Sequence, residues 1–495
     1  MIKTFVERYD KQVHRFLEIL PGTFSWSLIL FPVWGSFWIP HYVAYFIILF
    51  DIFWFYKSAT FALSALVSHV RLNASKKYDW LADAKRLPDF KKVHHLVVVP
   101  TYMEPLHTLE RGINSLASQD MPLSQISVVV AFEQREGKSA KDKAKVLSSK
   151  YGRKFANFIV TFHPDISGEV KGKSSNEAYG GKYAKKVLVD KQGRDINFIT
   201  ITSKDADGEL SEKYFSALTY KFLTAENKHL AFWQPIILFY SNIWRVPAPI
   251  RVMMALSSVW QTGVVNRTDR LVNYSMYSLS LKLLDDVGYW DVDVIPEDYR
   301  IFFKSYYAKE GKVEVLPLHL PVIADAAEST SYVKSLINLY EQEKRWAWGV
   351  SDDAYFIKNW MIHTEIPFWQ RTVRLLKVLE DHFLWPVNWF AITLGANIPV
   401  LLNPAFAQTV MGQNLPKVSF GILTACWVFL AIVIILDIRQ RPKRGDVSLF
   451  RKLTLPLEYF MMPVVTFIFT ALPGIDAHTR LMLGKYLEYR VTEKV

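Results

Sequence analysis

A single cysteine in 495 residues is the first constraint. Cys426 lies inside an apolar run, so neither a disulfide framework nor a thiolate metal site can be built. Zinc-finger spacing, a recognition-helix pattern and an RNP-type aromatic motif are also missing, so the net charge of +12 does not point to nucleic acid. Basic residues flanking membrane spans explain the excess better. The first twenty residues are charged and amphipathic, with no apolar core followed by small residues, so no cleavable signal peptide is expected. What the chain does have is apolar and aromatic mass. Hydrophobic residues make up 51% and aromatics 15% of it, and the mean hydropathy is +0.09. That composition suits a membrane protein with a sizeable water-soluble part, and its length allows two or three domains.

Residues 1–22 place Phe5, Val6, Val13, Phe16, Leu17 and Leu20 among charges, the pattern of a helix lying in the membrane interface or of a solvated helix packed on the protein. Two spans are expected within 23–72: Phe24 to Trp38, which is short for a bilayer of about 30 Å, and a run from Tyr42 that tolerates Asp51 and extends towards Val70. A polar domain follows over 73–350, then interfacial helices over 351–382. The segment 383–473 holds two spans, Phe383 to Leu402 and Val418 to Leu436, and a third apolar stretch from Leu457 to Leu472 that Pro463 interrupts. The loop from Arg439 to Lys452 is strongly basic, whereas Asn403 to Lys417 carries only Lys417, so the former and the polar domain are expected in the cytoplasm. A full third crossing would put the basic tail outside, so a re-entrant or interfacial segment is expected there, followed by an interfacial helix and tail over 474–495.

Within the polar domain, His95–Pro100, Ile126–Phe132, Asn157–Phe162 and Ile196–Thr202 read as strands, separated by helical stretches such as Leu106 to Ser118. This alternation implies an α/β fold with a mostly parallel sheet flanked by helices, inserted between N- and C-terminal transmembrane helices. Right-handed crossovers would bring the loops after Pro100, Phe132 and Thr202 onto one rim, where open sheets bind nucleotides. Asp205 and Asp207 follow the last of these strands, placed to hold a divalent cation against a substrate phosphate. About one Asp-x-Asp is expected by chance in such a chain, and Asp291/Asp293, which follows no strand, reads as that chance case.

Three later features complete a pattern: IPEDYR at Ile295 to Arg300; EQEKRWAWG at Glu341 to Gly349, where Gln342, Arg345 and Trp346 share a helical face; and YRVTEK at Tyr489 to Lys494. Singly each has a plain structural explanation, a helix N-cap, an amphipathic helix and a frayed terminus. Together and in this order, the stretch from about His94 to Gly349 resembles the family 2 glycosyltransferases. Its Gln-x-x-Arg-Trp pattern resembles their membrane-integrated members, the cellulose, hyaluronan and poly-N-acetylglucosamine synthases.

That resemblance implies a GT-A type catalytic domain on the cytoplasmic side, an inverting mechanism and a Mg²⁺ or Mn²⁺ cofactor. It assigns Pro100, Thr101, Tyr102 and Glu104 to the nucleotide-base segment, Glu133 to the place near the uridine and Lys173 to the nucleotide. Asp205 and Asp207 become the metal-side pair, with Asp207 the direct ligand, and Asp298 the general base beside Glu297. Gln342, Arg345 and Trp346 line the acceptor and diphosphate end, and Thr492 and Lys494 close over the nucleotide. The partners implied are a nucleotide-sugar donor, a UDP-sugar first, a glycan or lipid-linked acceptor, and the bilayer. The chain departs from the pattern at Met103, where relatives carry Asn, at Glu133, where many carry Asp, and at Tyr489, where Phe is usual. Extension of a β-linked glycan, single addition to a lipid carrier, and an inactive binding or translocation module all remain compatible with these residues.

Overall fold

A computed structural model describes residues 2–442, 448 and 454–488. Its centre is one eight-stranded sheet: β1 (His94–Thr101), β2 (Ile126–Glu133), β3 (Asn157–His163), β4 (Ile199–Ser203), β5 (Glu209–Leu210), β6 (Ala231–Leu238), β7 (Tyr277–Ser280) and β8 (Glu314–Ile323), in the order β3-β2-β1-β4-β7-β6-β8-β5. β1 pairs parallel with β2 and β4, and β2 with β3; β7 enters antiparallel between β4 and β6, and β6 pairs parallel with β8. The Val-rich runs of β1 and β2 are buried on both faces, as strands covered by helices on each side require. Because β1, β2 and β4 run parallel, their carboxyl ends share one rim.

Polar residues inside this sheet are satisfied locally. Both ring nitrogens of the fully buried His95 hydrogen-bond, to Thr200 Oγ1 at 2.7 Å and to Thr219 Oγ1 at 2.8 Å, and burial pushes its imidazole down to about 3.

Four helices are long and apolar enough to cross a membrane: Asp10–Trp38, Pro40–Lys77, Val410–Gln440 and Leu455–Met482. At 1.5 Å per residue each exceeds a 30 Å hydrocarbon core. The first and last cross closely. A Cβ on Gly22 would stand 2.7 Å from His478 O, and Ser25 Oγ meets His478 Nδ1 at 2.9 Å. This arrangement differs from the sequence expectation in three places. The expected interfacial segment 1–22 has no boundary at its end, because the helix that starts at Asp10 continues to Trp38. Phe383 to Leu402 is not one helix. Phe368–Leu394 ends at a turn before Ile398–Leu402, where Gly395 lies so close to Ile47 that a Cβ would stand 2.4 Å from its Cδ1. The amino-terminal half of that helix is charged and is tied to the protein, with Arg270 Nη2 at 2.6 Å from Asp381 Oδ1 and Lys57 paired with Glu380. Finally, the interrupted apolar run 457–472 lies within helical structure from Leu455 to Met482, with 3-10 and π turns around Pro463 and Pro473.

Candidate active site

The Asp-x-Asp turn is held rigidly at the end of β4. Lys204 N still donates to Val98 O at 3.0 Å, one residue past the strand, and Gly208 N closes the turn on Asp205 O at 3.0 Å. The helix Leu106–Ala117 presses against it so closely that a Cβ on Gly112 would lie 2.3 Å from Ala206 O. Beneath the turn Lys204 is fully buried; burial pushes its ammonium down to about 8, against the pull of Asp207, Asp205 and Glu209.

The two aspartates have different surroundings. Asp205 sits 2.9 Å from Lys173 Nζ through Oδ1 and accepts from Ser275 Oγ at 2.7 Å through Oδ2. Asp207 is 4% exposed and accepts from Asp325 N at 3.0 Å. Asp325 in turn receives Arg111 Nη2 at 2.5 Å on Oδ2, while its buried Oδ1 has no hydrogen-bond partner among the described residues. No cluster of three or more metal-ligating side chains occurs among the described residues. Two carboxylates past a strand, with a buried carboxyl oxygen beside them, still fit Mg²⁺ or Mn²⁺, which take one or two protein carboxylates and leave other positions to phosphate and water.

Lys173 opens the helix Lys173–Lys185, and its ammonium faces Asp205, Glu297 at 3.1 Å and Glu177 at 3.9 Å, and donates to Ser275 O at 2.7 Å. Burial alone would lower Lys173, but these carboxylates outweigh it and raise it well above its ordinary value. One ammonium faces three carboxyls, and burial favours the neutral form of the two glutamates among them. Burial, opposed by Lys173, pushes Glu297 up to about 7 and Glu177 to about 8.

Glu297 and Asp298 begin the helix Glu297–Ala308 and face different ways. Glu297 is buried against Lys173, whereas Asp298 is half-exposed, with Oδ2 on Ser275 N at 2.8 Å and Oδ1 on Tyr299 N at 2.8 Å. Asn273 Nδ2 donates to Asp298 O at 2.7 Å. Asp291 belongs elsewhere: it accepts from Lys304 at 2.6 Å, a structural pair.

Gln342, Arg345 and Trp346 lie on the helix Tyr332–Ala347. Gln342 is buried, with Oε1 unpartnered among the described residues, and Arg345 is half-buried. The Trp346 ring tilts against Phe239 with centroids 5.7 Å apart. Phe239 follows β6, whose Leu238 O accepts from Ala324 N at 2.9 Å, next to the Asp325 that holds Asp207. Trp346 thus packs on the residue that follows β6, whose neighbouring backbone pairs with the segment leading to Asp325.

On the other flank Arg135 stacks 3.8 Å over the Tyr102 ring and pairs with Glu133 at 2.6 Å, beside a shallow surface depression lined by Glu133, His163, Ile166 and Lys171 among others. Pro100 and the buried Thr101 end β1 just before it, and Lys143 ties down Glu104 O at 2.6 Å. Thr492 and Lys494 lie outside the described residues. The chain leading to them is anchored: Tyr486 donates to Glu18 at 2.8 Å, and Leu487 packs on the Ala347, Trp348 and Val350 cluster.

The site residues that sequence reasoning missed are Ser275, Asn273, Lys204, Asp325, Arg111 and Arg135. Lys204 adjoins the Asp-x-Asp and could have been weighed for that reason; the others belong to no spacing pattern and meet the site only through the fold.

A family model described as Glycosyl transferase family group 2 matches residues 200–438, from within β4 into the span Val410–Gln440. No curated protein sequence matches the chain. Among solved structures, the mannosyltransferase PcManGT from Pyrobaculum calidifontis, in complex with GDP-Man and Mn²⁺, aligns at 12% identity with a TM-score of 0.46, over 80% of this chain and 100% of that one. TarS 1-349 from S. aureus, in complex with UDP-GlcNAc, aligns at 13% identity with a TM-score of 0.34, over 80% of this chain and 93% of that one.

Proposed function

We propose that this chain is a membrane-embedded, inverting glycosyltransferase that moves a sugar from a nucleoside diphosphate, UDP first, onto a growing β-linked glycan at the cytoplasmic membrane face. The observation that carries the reading is the shared partner Ser275, whose hydroxyl is on Asp205 and whose amide is on Asp298. A phosphate-side acid and a base candidate so joined stand at one place in the fold. The family match over the same residues supports it.

Each side chain has a task in that reaction. Asp298, the accessible member of its pair, accepts the proton of the acceptor hydroxyl, whose own pKa lies far above neutrality. Attack from the face opposite the leaving diphosphate inverts the anomeric carbon. Arg345 adds planar donors to the diphosphate and Trp346 offers an apolar face to a sugar ring. Asp207, together with Asp205, would hold Mg²⁺ or Mn²⁺, which supplies Lewis-acid stabilisation of the departing phosphate when bound. Tyr102, Glu133 and Arg135 border the depression for the base. The helix bearing Trp346 continues into a cluster with Ala477 and Leu481 of the last span, which supports delivery of product at the membrane.

Membranes containing the protein, given labelled UDP-sugars with Mn²⁺ or Mg²⁺, test this directly. A ladder of products supports extension, and one discrete lipid-soluble product supports single addition to a lipid carrier. No transfer from any nucleotide sugar favours an inactive module. Asp298→Asn is expected to lower turnover by about 10²–10⁴-fold with nucleotide binding retained, whereas Asp207→Ala weakens metal-dependent nucleotide binding as well. Full turnover in Asp298→Asn removes the assigned base.

A further inference from the structure

Three members of the site meet at Ser275, each on a different polar group. The hydroxyl donates to Asp205 Oδ2 at 2.7 Å, the amide donates to Asp298 Oδ2 at 2.8 Å, and the carbonyl accepts from Lys173 Nζ at 2.7 Å. Its backbone has φ +53°, in the left-handed region that residues with a side chain rarely adopt. Such a conformation persists only where its surroundings over-determine it. Here they do so from both sides. Gln234, fully buried at the bulge of β6, accepts from Tyr274 N at 3.0 Å and donates to Tyr274 O at 3.3 Å and Met276 O at 3.2 Å. Asn273 reaches across to the backbone of Asp298.

We propose that Ser275 is a positioning residue that fixes the phosphate-side carboxylate Asp205 relative to the base Asp298. The left-handed turn is what lets the amide and the hydroxyl of one residue face two carboxylates at once. Rotation about N–Cα into the right-handed region would swing the hydroxyl and the carbonyl relative to the N–H, so the three contacts could not be kept together. This role rests on the transferase reading above.

Ser275→Gly separates it from a merely structural role, because glycine accepts the left-handed turn and keeps the amide while losing the hydroxyl. The purified full chain in detergent is titrated calorimetrically with UDP, and separately GDP, in Mn²⁺. Ser275→Gly is expected to bind the nucleotide that wild type binds about tenfold more weakly, the loss typical of a hydrogen bond to a charged group. Its melting temperature should equal or exceed that of wild type, since the strained turn is relieved. Ser275→Ala should show the same binding loss and melt below Ser275→Gly. Wild-type affinity in Ser275→Gly, or affinity and melting temperature falling together, overturns the positioning role and leaves the transferase reading intact. Failure of wild type to bind either nucleotide with Mn²⁺ sinks that reading, and the role of Ser275 with it.

Discussion

Met103 shows how a single residue registers both the resemblance and the departure from it. It stands where the resemblance to family 2 glycosyltransferases calls for Asn, and its backbone has φ +61° with the amide donating to Glu136 at 2.9 Å. Asn and Gly tolerate that conformation, whereas Met pays about 1 kcal/mol or more for it. The side chain is 62% exposed, so nothing in its packing offsets the strain. Met103→Gly is therefore expected to raise the melting temperature by about 2–4 °C, and Met103→Asn by less, in a thermal shift measurement. An unchanged or lower melting temperature for both would mean that the turn is not strained. At this scale the sequence was legible in placing Asp205 and Asp207 just past a strand end, and illegible where distant residues converge. Ser275 carries no motif, and its partners Asp205 and Asp298 lie far from it along the chain; only the insertion of β7 between β4 and β6 delivers it to the rim.

The helix Tyr332–Ala347 displays the same division at the level of an element. Its Gln-x-x-Arg-Trp face was readable from spacing alone, but the neighbouring Glu343 was not remarkable in sequence and proves to be 2% exposed. Its Oε1 has no hydrogen-bond partner among the described residues, and burial pushes the carboxyl up to about 8. A carboxyl that stays protonated in the fold but ionises in the unfolded chain makes stability fall as pH rises. The contribution is fully present below about pH 4.5 and is gone above about pH 8, with a slope of about 1.4 kcal/mol per pH unit between. Glu343→Gln should flatten that slope. Melting temperatures compared at pH 5.5 and 8.5 should fall further in wild type than in the variant, and equal falls would refute the buried neutral carboxyl. Strands show the corresponding contrast. β1 to β4 are rich in Val, Ile and Thr and lie within a few residues of the expected bounds, whereas β6 and β8 carry Pro235, Pro317 and Pro321 in their interiors. Proline cannot donate to a ladder and argues against a central strand; the sheet accommodates Pro235 with a register shift between Gln234 and Ile236.

For the molecule as a whole, hydropathy located apolar helices on both sides of the α/β domain but could not reveal how that domain is fastened to them. The fastening is polar as well as apolar: Ala65, Val433 and Leu436 of the spans pack on Val259, and a buried polar cluster lies beside them. Tyr240, at the end of β6, donates to Asp437 Oδ1 at 2.9 Å, and Arg441 Nε lies 2.8 Å from Asp437 Oδ2, both charges being almost fully buried. Trp244 Nε1 donates to Pro442 O at 3.1 Å, and Arg251 Nε meets Glu458 Oε2 at 2.9 Å at the start of the last span. Buried ion pairs recover little net stability over apolar residues of similar size, yet removing one partner strands the other charge. Asp437→Leu should therefore destabilise the detergent-solubilised protein by about 3–5 kcal/mol, read as a large drop in melting temperature. The triple variant Asp437→Leu, Arg441→Met, Tyr240→Phe removes the three groups that pair with one another and should regain most of that loss. If the triple variant melts as low as the single one, the cluster contributes directional hydrogen bonding that apolar packing cannot replace. If the proposed glycan extension holds, a stable triple variant with normal nucleotide binding but shortened products would show that Tyr240 and Asp437 keep the candidate site in register with the apolar helices.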